Sequence, residues 1–365
     1  MERTHAHLRR RVGPLFRLEP GRLVLGLVML GWLATFAWPA VAADECAPYR
    51  REFWVVNTRH APVCKGLDRG VNQITYWKQE NGQLVRKSLE QFLAGVEPSL
   101  TTTFYVHGDT VNRRLALRIA DKVMNGVGRD VPAYRMVLWS WPSQHRFGLG
   151  IRGNILTKAR WSESQGYYLA WLVDKINPRT SLSLVGHSFG SRTIAAALEG
   201  LATNRIAGYD LGPRSHTAWR PMQAALVAAA MDNRWLWPGW RYGKALTQVD
   251  HILVTRNPND RLLRVYSDKY LPAGVRALGL TGIPQAEARL GDQRSKWATS
   301  FNAAFAGTSH RWSRYADAPG ASRQLRPHFF YENAPTAEEV LGDELSPGPQ
   351  PSDGGSAEEN APLPP

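Results

Sequence analysis

The chain has 365 residues, of which 43% are hydrophobic and 21% charged, a composition typical of a globular protein with one large buried core. The net charge of +14 is unusually high, and residues 336–365 hold seven acids without a Lys or Arg, so the preceding body is more basic still. Such a surface favours anionic partners, and we expect peripheral contact with an anionic membrane surface, although high charge also serves solubility alone. No compact Lys/Arg run is interleaved with aromatic residues, so nucleic acid is not an expected partner.

The first 42 residues are typical of an export signal. They contain a basic start with three Arg at 9–11, an apolar run at 23–38, and the small-x-small cleavage sequence Ala40-Val41-Ala42. We therefore predict an exported protein, periplasmic or extracellular, with an uncleaved N-terminal anchor in the inner membrane as the alternative. Residues 43–335 are predicted to form the folded domain. Residues 336–365, rich in Pro, Gly, Ser and acids, are predicted to form a disordered tail.

The sequence has two cysteines, Cys46 and Cys64, and both follow the predicted cleavage site. An even number of cysteines in an exported chain favours a disulfide between them, and two free thiols are the alternative. No nearby His or Cys completes a set of metal ligands, so we predict no metal site.

Segments rich in β-branched and aromatic residues alternate with helix-forming segments along most of the chain. Predicted strands lie at 53–58, 101–106, 135–141, 182–185, 224–231 and 249–255, and predicted helices at 88–93, 111–124, 159–176 and 191–201. This alternation predicts an α/β fold with a mostly parallel central sheet and helices on both faces. Because reactive groups in such sheets gather at the carboxyl ends of strands, residues directly after a strand are the candidates for a site.

The most informative motif is Gly186-His187-Ser188-Phe189-Gly190, which lies between a predicted strand and a predicted helix. Strand, sharp turn and helix are the setting of a nucleophile elbow, which exposes a serine hydroxyl above the sheet. The two glycines avoid collision of a Cβ with a neighbouring strand or helix, and the N-terminus of the following helix stabilises developing negative charge. The motif therefore predicts Ser188 as a nucleophile. A glycine-rich turn with an incidental serine is the alternative.

A serine nucleophile needs a base and a carboxylate that orients the base, and behind this kind of elbow the acid precedes the histidine in the chain. Asp260 follows a convincing strand in a Pro-containing loop and is the preferred acid, with Asp232 as the alternative. His310 follows a short predicted last strand through a Gly-Thr-Ser loop, whereas His328 precedes an apolar run. We therefore predict His310 as the base and keep His328 as the alternative.

Two backbone N–H groups are needed to hold the negative oxygen of an acyl-transfer intermediate. We predict the N–H of Phe189, directly after the nucleophile, and that of Asp109, in the loop after the strand at 101–106. The Asp109 carboxylate is expected to turn away and cap the helix at 111–124.

Three tryptophans are predicted to bind an apolar part of a substrate. Trp141 ends a predicted strand, and Trp235 and Trp237 lie in an aromatic, Pro-containing segment. Ordinary packing is the alternative for each.

Taken together, these motifs resemble the α/β-hydrolase superfamily. Those that carry the likeness are His107-Gly108, Trp139-Ser140-Trp141-Pro142-Ser143, the elbow around Ser188, and Asn259-Asp260, within residues 50–315. The sequence is similar in particular to little-characterised bacterial serine esterase and lipase-like proteins, in which an aromatic-rich helix follows the catalytic histidine.

The resemblance implies an α/β-hydrolase fold and a cofactor-independent serine hydrolase that cleaves esters, thioesters or amides through an acyl-enzyme. A small-molecule or lipid ester is the expected substrate. An acyltransferase with the same triad and a non-catalytic binding protein of the cell envelope are the alternatives.

Overall fold

The structure, a computed structural model, describes residues 50–216, 220–291, 301–316 and 321–331. The strands within these residues are β1 (Arg50–Asn57), β2 (Thr75–Glu80), β3 (Gln83–Lys87), β4 (Thr102–Val106), β5 (Ala133–Ser140), β6 (Leu182–His187), β7 (Arg205–Ile206), β8 (Tyr209–Asp210), β9 (Met222–Val227), β10 (His251–Arg256) and β11 (Phe301–Asn302). The predicted export signal, Cys46 and the predicted tail all lie outside the described residues, so the proposed domain boundaries stay predictions.

The helices alternate with the strands over most of the described chain. They are α1 (Leu67–Gly70), α2 (Leu89–Ala94), α3 (Arg113–Asn125), α4 (Gly150–Lys175), α5 (Phe189–Thr203), α6 (Arg261–Tyr270), α7 (Leu278–Thr281), α8 (Ala286–Arg289), α9 (Trp312–Ala316) and α10 (Ala321–Phe330). Short 3₁₀ turns lie at Val71–Gln73, Ala245–Gln248 and Ala304–Ala306.

One nine-stranded sheet organises the described residues, in the order β11-β10-β9-β6-β4-β5-β1-β2-β3. Every neighbouring pair from β11 to β1 is parallel, and only β2 and β3 join antiparallel at the far edge. The prediction of an α/β fold with a mostly parallel central sheet flanked by helices is therefore confirmed. The antiparallel edge is a hairpin around Asn81-Gly82, both with positive φ, as a tight hairpin turn requires.

The central strands are buried because helices cover the sheet. All residues of β4 and β9 are buried, as is nearly all of β6, and their sequences are correspondingly rich in apolar residues. Helix α5 packs against α4 and against β6. Helix α10 packs against β4, β6 and β9.

A row of three polar side chains crosses the central strands beneath α10. Thr103, Ser183 and Gln223 are register partners on β4, β6 and β9. Each donates a hydrogen bond to a main-chain carbonyl near the C-terminus of α10, at 2.5, 2.7 and 2.8 Å. The last carbonyls of a helix have no partner within the helix, so this polar row satisfies them inside the core.

The predicted strands and helices lie near the observed ones, with two informative differences. Helix α4 begins at Gly150, nine residues before its predicted start, because glycines at 150 and 153 weaken the helical pattern there. Strand β9 ends at Val227 rather than at 231, because Ala228 has a φ of 47° that no strand accommodates. Residues 228–231 are buried all the same, which explains their apolar sequence.

Candidate active site

Ser188 occupies the sharp turn between β6 and α5. Its φ of 58° and ψ of −119° are unusual for a residue with a side chain. The turn is held by a hydrogen bond of 2.9 Å from its N–H to the carbonyl of Val227. A Cβ added at Gly190 would overlap the carbonyl oxygen of Val106, and one added at Gly186 would overlap the main chain of the first turn of α5. Both glycines of the motif are thus required by close backbone packing.

The structure joins Ser188, His310 and Asp260 in one hydrogen-bonded chain. His310 Nε2 lies 2.9 Å from Ser188 Oγ, and His310 Nδ1 lies 2.8 Å from Asp260 Oδ2. Asp260 is fully buried and Ser188 is 5% exposed. The three residues chosen from the ends of separate predicted strands therefore meet at one edge of the sheet, although up to 122 positions separate them in the chain.

The Asp260 carboxylate has a complete set of donors. As the N-cap of α6, it accepts from the Leu263 N–H through Oδ1 at 3.0 Å. Its Oδ2 accepts from Tyr315 Oη at 2.7 Å in addition to His310. Burial alone raises the pKa of Asp260, but the hydrogen bonds from His310 and Tyr315 and the His310 charge hold that pKa below its ordinary value. The carboxylate is therefore ionised where it faces the imidazole.

His187, which lies between Gly186 and Ser188, supports His310 by a contact with its main chain. Its Nε2 donates to the main-chain carbonyl of His310 at 3.0 Å, and the two rings lie 5.2 Å apart. Desolvation, together with the charge of the nearby His310, lowers the pKa of His187 to about 3. A neutral ring that donates through Nε2 is thus part of the support of the base. The sequence alone offered one indication of this contact, which is the position of His187 next to the nucleophile.

Two backbone N–H groups beside Ser188 are unused. Neither Phe189 nor Asp109 donates its main-chain N–H to an acceptor within the described residues. The loop that carries Asp109 passes close to the nucleophile, because a Cβ at Gly108 would lie 3.0 Å from Ser188 Cβ. Phe189 begins α5, so its N–H lies at the positive end of the helix. These are the two donors that the sequence predicted for an oxyanion.

The Asp109 side chain turns away, but the prediction that it caps the next helix is wrong. Asn112 is the N-cap of α3 and accepts from the Leu115 N–H at 2.8 Å. Asp109 instead faces the buried ammonium of Lys158 at 3.3 Å. Burial raises the pKa of Asp109 above its ordinary value, and the Lys158 charge opposes this rise. Lys158 also donates to the carbonyls of residues 143 and 144, so it ties two loops together beside Ser188.

His107 and Trp141 form the buried floor under this loop. The Trp141 indole is fully buried, donates to the His107 carbonyl at 2.8 Å and stacks on the His107 ring. Burial, with a contribution from the Arg59 charge, lowers the pKa of His107 to about 3, so the ring is neutral. Trp141 was predicted to bind substrate, and the structure places it in the core rather than at a binding surface.

The alternative acid and base have other partners. Asp232 is buried and accepts from its neighbour Arg234 through both carboxylate oxygens, at 2.8 to 3.1 Å. His328 lies on α10, where its carbonyl accepts from Ser183 over the middle of the sheet. Ser188 Oγ donates its hydrogen bond to His310 Nε2, so the structure does not bring Asp232 or His328 into the chain of contacts around the serine.

A cavity of about 270 Å³ lies beside the elbow. Trp235, Tyr266, Tyr270 and Leu156 supply much of its aromatic and aliphatic lining. The Phe189 ring meets Tyr266 edge-on at 5.8 Å, so the cavity lies next to the nucleophile turn. Trp237 packs outside this lining, where its indole N–H donates to the Pro284 carbonyl at 3.0 Å.

The charged residues that line the cavity are Arg160, Arg192, Arg241 and Asp232. Arg192 lies one helical turn after Ser188, is almost completely buried and binds Glu163 at 2.9 Å. Arg241 binds the same carboxylate at 2.6 Å. The Trp235 ring lies 4.7 Å from the Arg192 guanidinium. Arg192 and Arg241 therefore share one carboxylate beside the cavity.

Three further features complete the description of the site. Within the described ranges, no group of three or more His, Cys, Asp or Glu is arranged to hold a metal ion. No helix among the described residues is long and apolar enough to span a bilayer. Cys64 is exposed, and since Cys46 lies outside the described residues, the disulfide stays a prediction.

Neither a family model nor a curated protein matches the sequence.

Proposed function

We propose that this protein is a serine hydrolase of the α/β-hydrolase fold that cleaves carboxylic esters. The observation that carries the proposal is the chain of hydrogen bonds from Ser188 Oγ through His310 to Asp260, with the serine on a strained strand-to-helix turn. The parallel strands, the order Ser, Asp, His along the sequence and the buried carboxylate at a strand end support the fold assignment.

The geometry suits an acyl-enzyme mechanism. Ser188 Oγ attacks the ester carbonyl carbon while its proton passes to His310 Nε2. Asp260 binds Nδ1–H, which keeps the Nε2 lone pair directed at the serine and stabilises the imidazolium as it forms. The C–O bond then breaks, and the alcohol leaves with the proton from Nε2. A water molecule then attacks the carbonyl carbon of the acyl-enzyme while its proton passes to His310 Nε2. The bond to Ser188 Oγ breaks, the free acid leaves, and Nε2 returns the proton to Ser188.

The unused N–H groups of Phe189 and Asp109 supply the proposed oxyanion site. A tetrahedral intermediate places a full negative charge on the former carbonyl oxygen, and preorganised donors stabilise that charge without rearranging. The Asp109 carboxylate is directed at Lys158 instead, so it does not oppose the oxyanion. The adjoining cavity, lined by Trp235 and Tyr266, accommodates an apolar acyl or alcohol group.

Labelling by a fluorophosphonate tests the proposal, because the probe reacts with an activated serine and not with an ordinary one. Wild type is compared with Ser188→Ala, His310→Ala and His328→Ala, each checked for folding by circular dichroism. We expect labelling of wild type and His328→Ala and loss of labelling in the other two. His328→Ala is the matched control, since it removes a partly buried imidazole outside the proposed site.

Two results would refute the proposal. One is a folded wild type that takes no label, and the other is a Ser188→Ala variant that is labelled as fast as wild type. A series of soluble esters of increasing chain length then measures the capacity of the cavity. Product analysis with and without an added alcohol tells hydrolysis from acyl transfer.

A further inference from the structure

Four large apolar side chains are exposed together at the start of α4. Phe147 is 98% exposed, Ile151 77%, and Leu149 and Leu156 41% each. We call these four residues the apolar rim. Soluble proteins leave single apolar residues exposed without consequence, but a group within ten residues of chain marks an interaction surface.

The loop that carries the rim is held in place rather than loose. The buried Asn154 side chain accepts from the N–H of Arg146 at 2.9 Å and donates to its carbonyl at 3.0 Å. Gly148 and Gly150 have positive φ on either side of Leu149, and a Cβ added at either would meet nothing within 4 Å. The side chains of the rim therefore project from a fixed turn into solvent.

The rim borders the cavity of the candidate site through Leu156. Lys158, on the same helix, fixes the carbonyls of residues 143 and 144 and reaches Asp109 beside the nucleophile. Leu156 belongs both to the rim and to the lining of the cavity. On the facing helix α6, Leu262 is 52% exposed one turn before Tyr266, which also lines the cavity. Two helices that line the cavity, α4 and α6, therefore each carry exposed apolar side chains.

The stretch of chain that carries the rim has basic residues and no acidic ones. No Asp or Glu occurs between Asp130 and Glu163. Three arginines of this segment, Arg146, Arg152 and Arg160, are exposed. Projecting apolar side chains among exposed arginines are complementary to a bilayer that carries anionic headgroups over an apolar interior.

We propose that the apolar rim docks on an anionic lipid bilayer, with Phe147 and Ile151 entering the interface and Arg146 and Arg152 binding the headgroups. The cavity then opens toward the membrane surface. This docking does not depend on the proposed chemistry of Ser188, because it rests on exposed side chains that the reaction does not use.

A fluorophore placed on the rim tests the docking directly. Cys46 and Cys64 are replaced by serine in the full chain, and a bimane label is attached at Phe147→Cys. The matched control carries the label at Val85→Cys, an exposed apolar position on the antiparallel edge strand β3. Vesicles of phosphatidylcholine, with or without phosphatidylglycerol, are added at low and high salt.

We expect the emission at position 147 to shift to shorter wavelength with phosphatidylglycerol vesicles at low salt, and the emission at position 85 to stay unchanged. High salt should reverse the shift, because the attraction of arginines to headgroups is screened. Arg146→Gln with Arg152→Gln should raise the lipid concentration at half-maximal shift about thirty-fold, as expected for the loss of two surface cations.

Any of three results would overturn the docking proposal. These are no shift at position 147, equal shifts at positions 147 and 85, and a shift with pure phosphatidylcholine that matches the one with phosphatidylglycerol. Fluorophosphonate labelling of the same proteins without vesicles reads the reactivity of Ser188 separately. Failure of docking and failure of the proposed chemistry are therefore distinguishable.

Discussion

Replacing Tyr315 by phenylalanine removes one of the three hydrogen bonds that the buried Asp260 carboxylate accepts. The lost bond, of 2.7 Å, ends on the same oxygen that binds His310. The Leu263 N–H continues to bind the other oxygen. Asn257, which also donates to Tyr315 Oη, keeps its bond to the Gly307 carbonyl, so its amide group retains one acceptor.

We expect Tyr315→Phe to lower the free energy of unfolding by about 2 kcal/mol at pH 7, the usual contribution of a hydrogen bond to a charged group. The pKa of Asp260 lies below its ordinary value in the folded state. Its contribution to stability is therefore complete above the unfolded pKa of about 4 and is lost as the pH falls through the folded pKa. Tyr315→Phe raises that folded pKa, so the stability gap between wild type and variant should shrink below about pH 4.

Urea unfolding at pH 7 and at several pH values down to about 3 measures the effect. Tyr105→Phe is the matched control, because its buried hydroxyl has no hydrogen-bond partner within the described residues and its removal should cost nothing. A Tyr315→Phe variant as stable as Tyr105→Phe, or a loss that does not change with pH, would refute the reasoning. The same substitution on an Asp260→Asn background should have a much smaller effect, since the charge it stabilises is gone.

Asp260→Asn should lower kcat on a soluble ester about 10⁴-fold, because an amide donor opposite His310 favours the tautomer that cannot take a proton from the nucleophile. Steady-state kinetics would contradict this if kcat stayed within about tenfold of wild type. Gly190→Ala should lower the free energy of unfolding by about 3 kcal/mol or prevent folding, because the new methyl overlaps the Val106 carbonyl. Gly153→Ala is its control in urea unfolding, since that methyl meets only one side-chain carbon, at 3.2 Å, and equal losses in the two variants would rule out the steric explanation.

Much of the candidate site could be predicted because its members follow strands. The spacing of glycines around Ser188 is a local requirement of a tight strand-to-helix turn, and it is visible in five residues. Asp260 and His310 could be chosen because strand ends in a parallel sheet share one edge. The same argument favoured Asp260 over Asp232 without excluding Asp232. Only the structure shows that the Asp232 carboxylate is bound by the Arg234 guanidinium.

The supporting contacts could not be predicted, because they join distant parts of the chain. The bond from His187 to the His310 carbonyl spans 123 positions, and that from Tyr315 to Asp260 spans 55. Neither residue differs in type from an ordinary packing residue. The error over Asp109 has the same origin, since its partner Lys158 lies 49 positions away on a helix whose beginning the sequence pattern did not reveal.

The polar row beneath α10 has a consequence for the order of assembly. Its three side chains lie on strands that are synthesised well before residues 321–330, so the row has no helix to bind while the chain is still growing. Without α10, three polar groups and the apolar surface around them would face water at the centre of the sheet. Packing of α10, the last helix of the described residues, therefore both supplies the acceptors of the polar row and covers this part of the sheet.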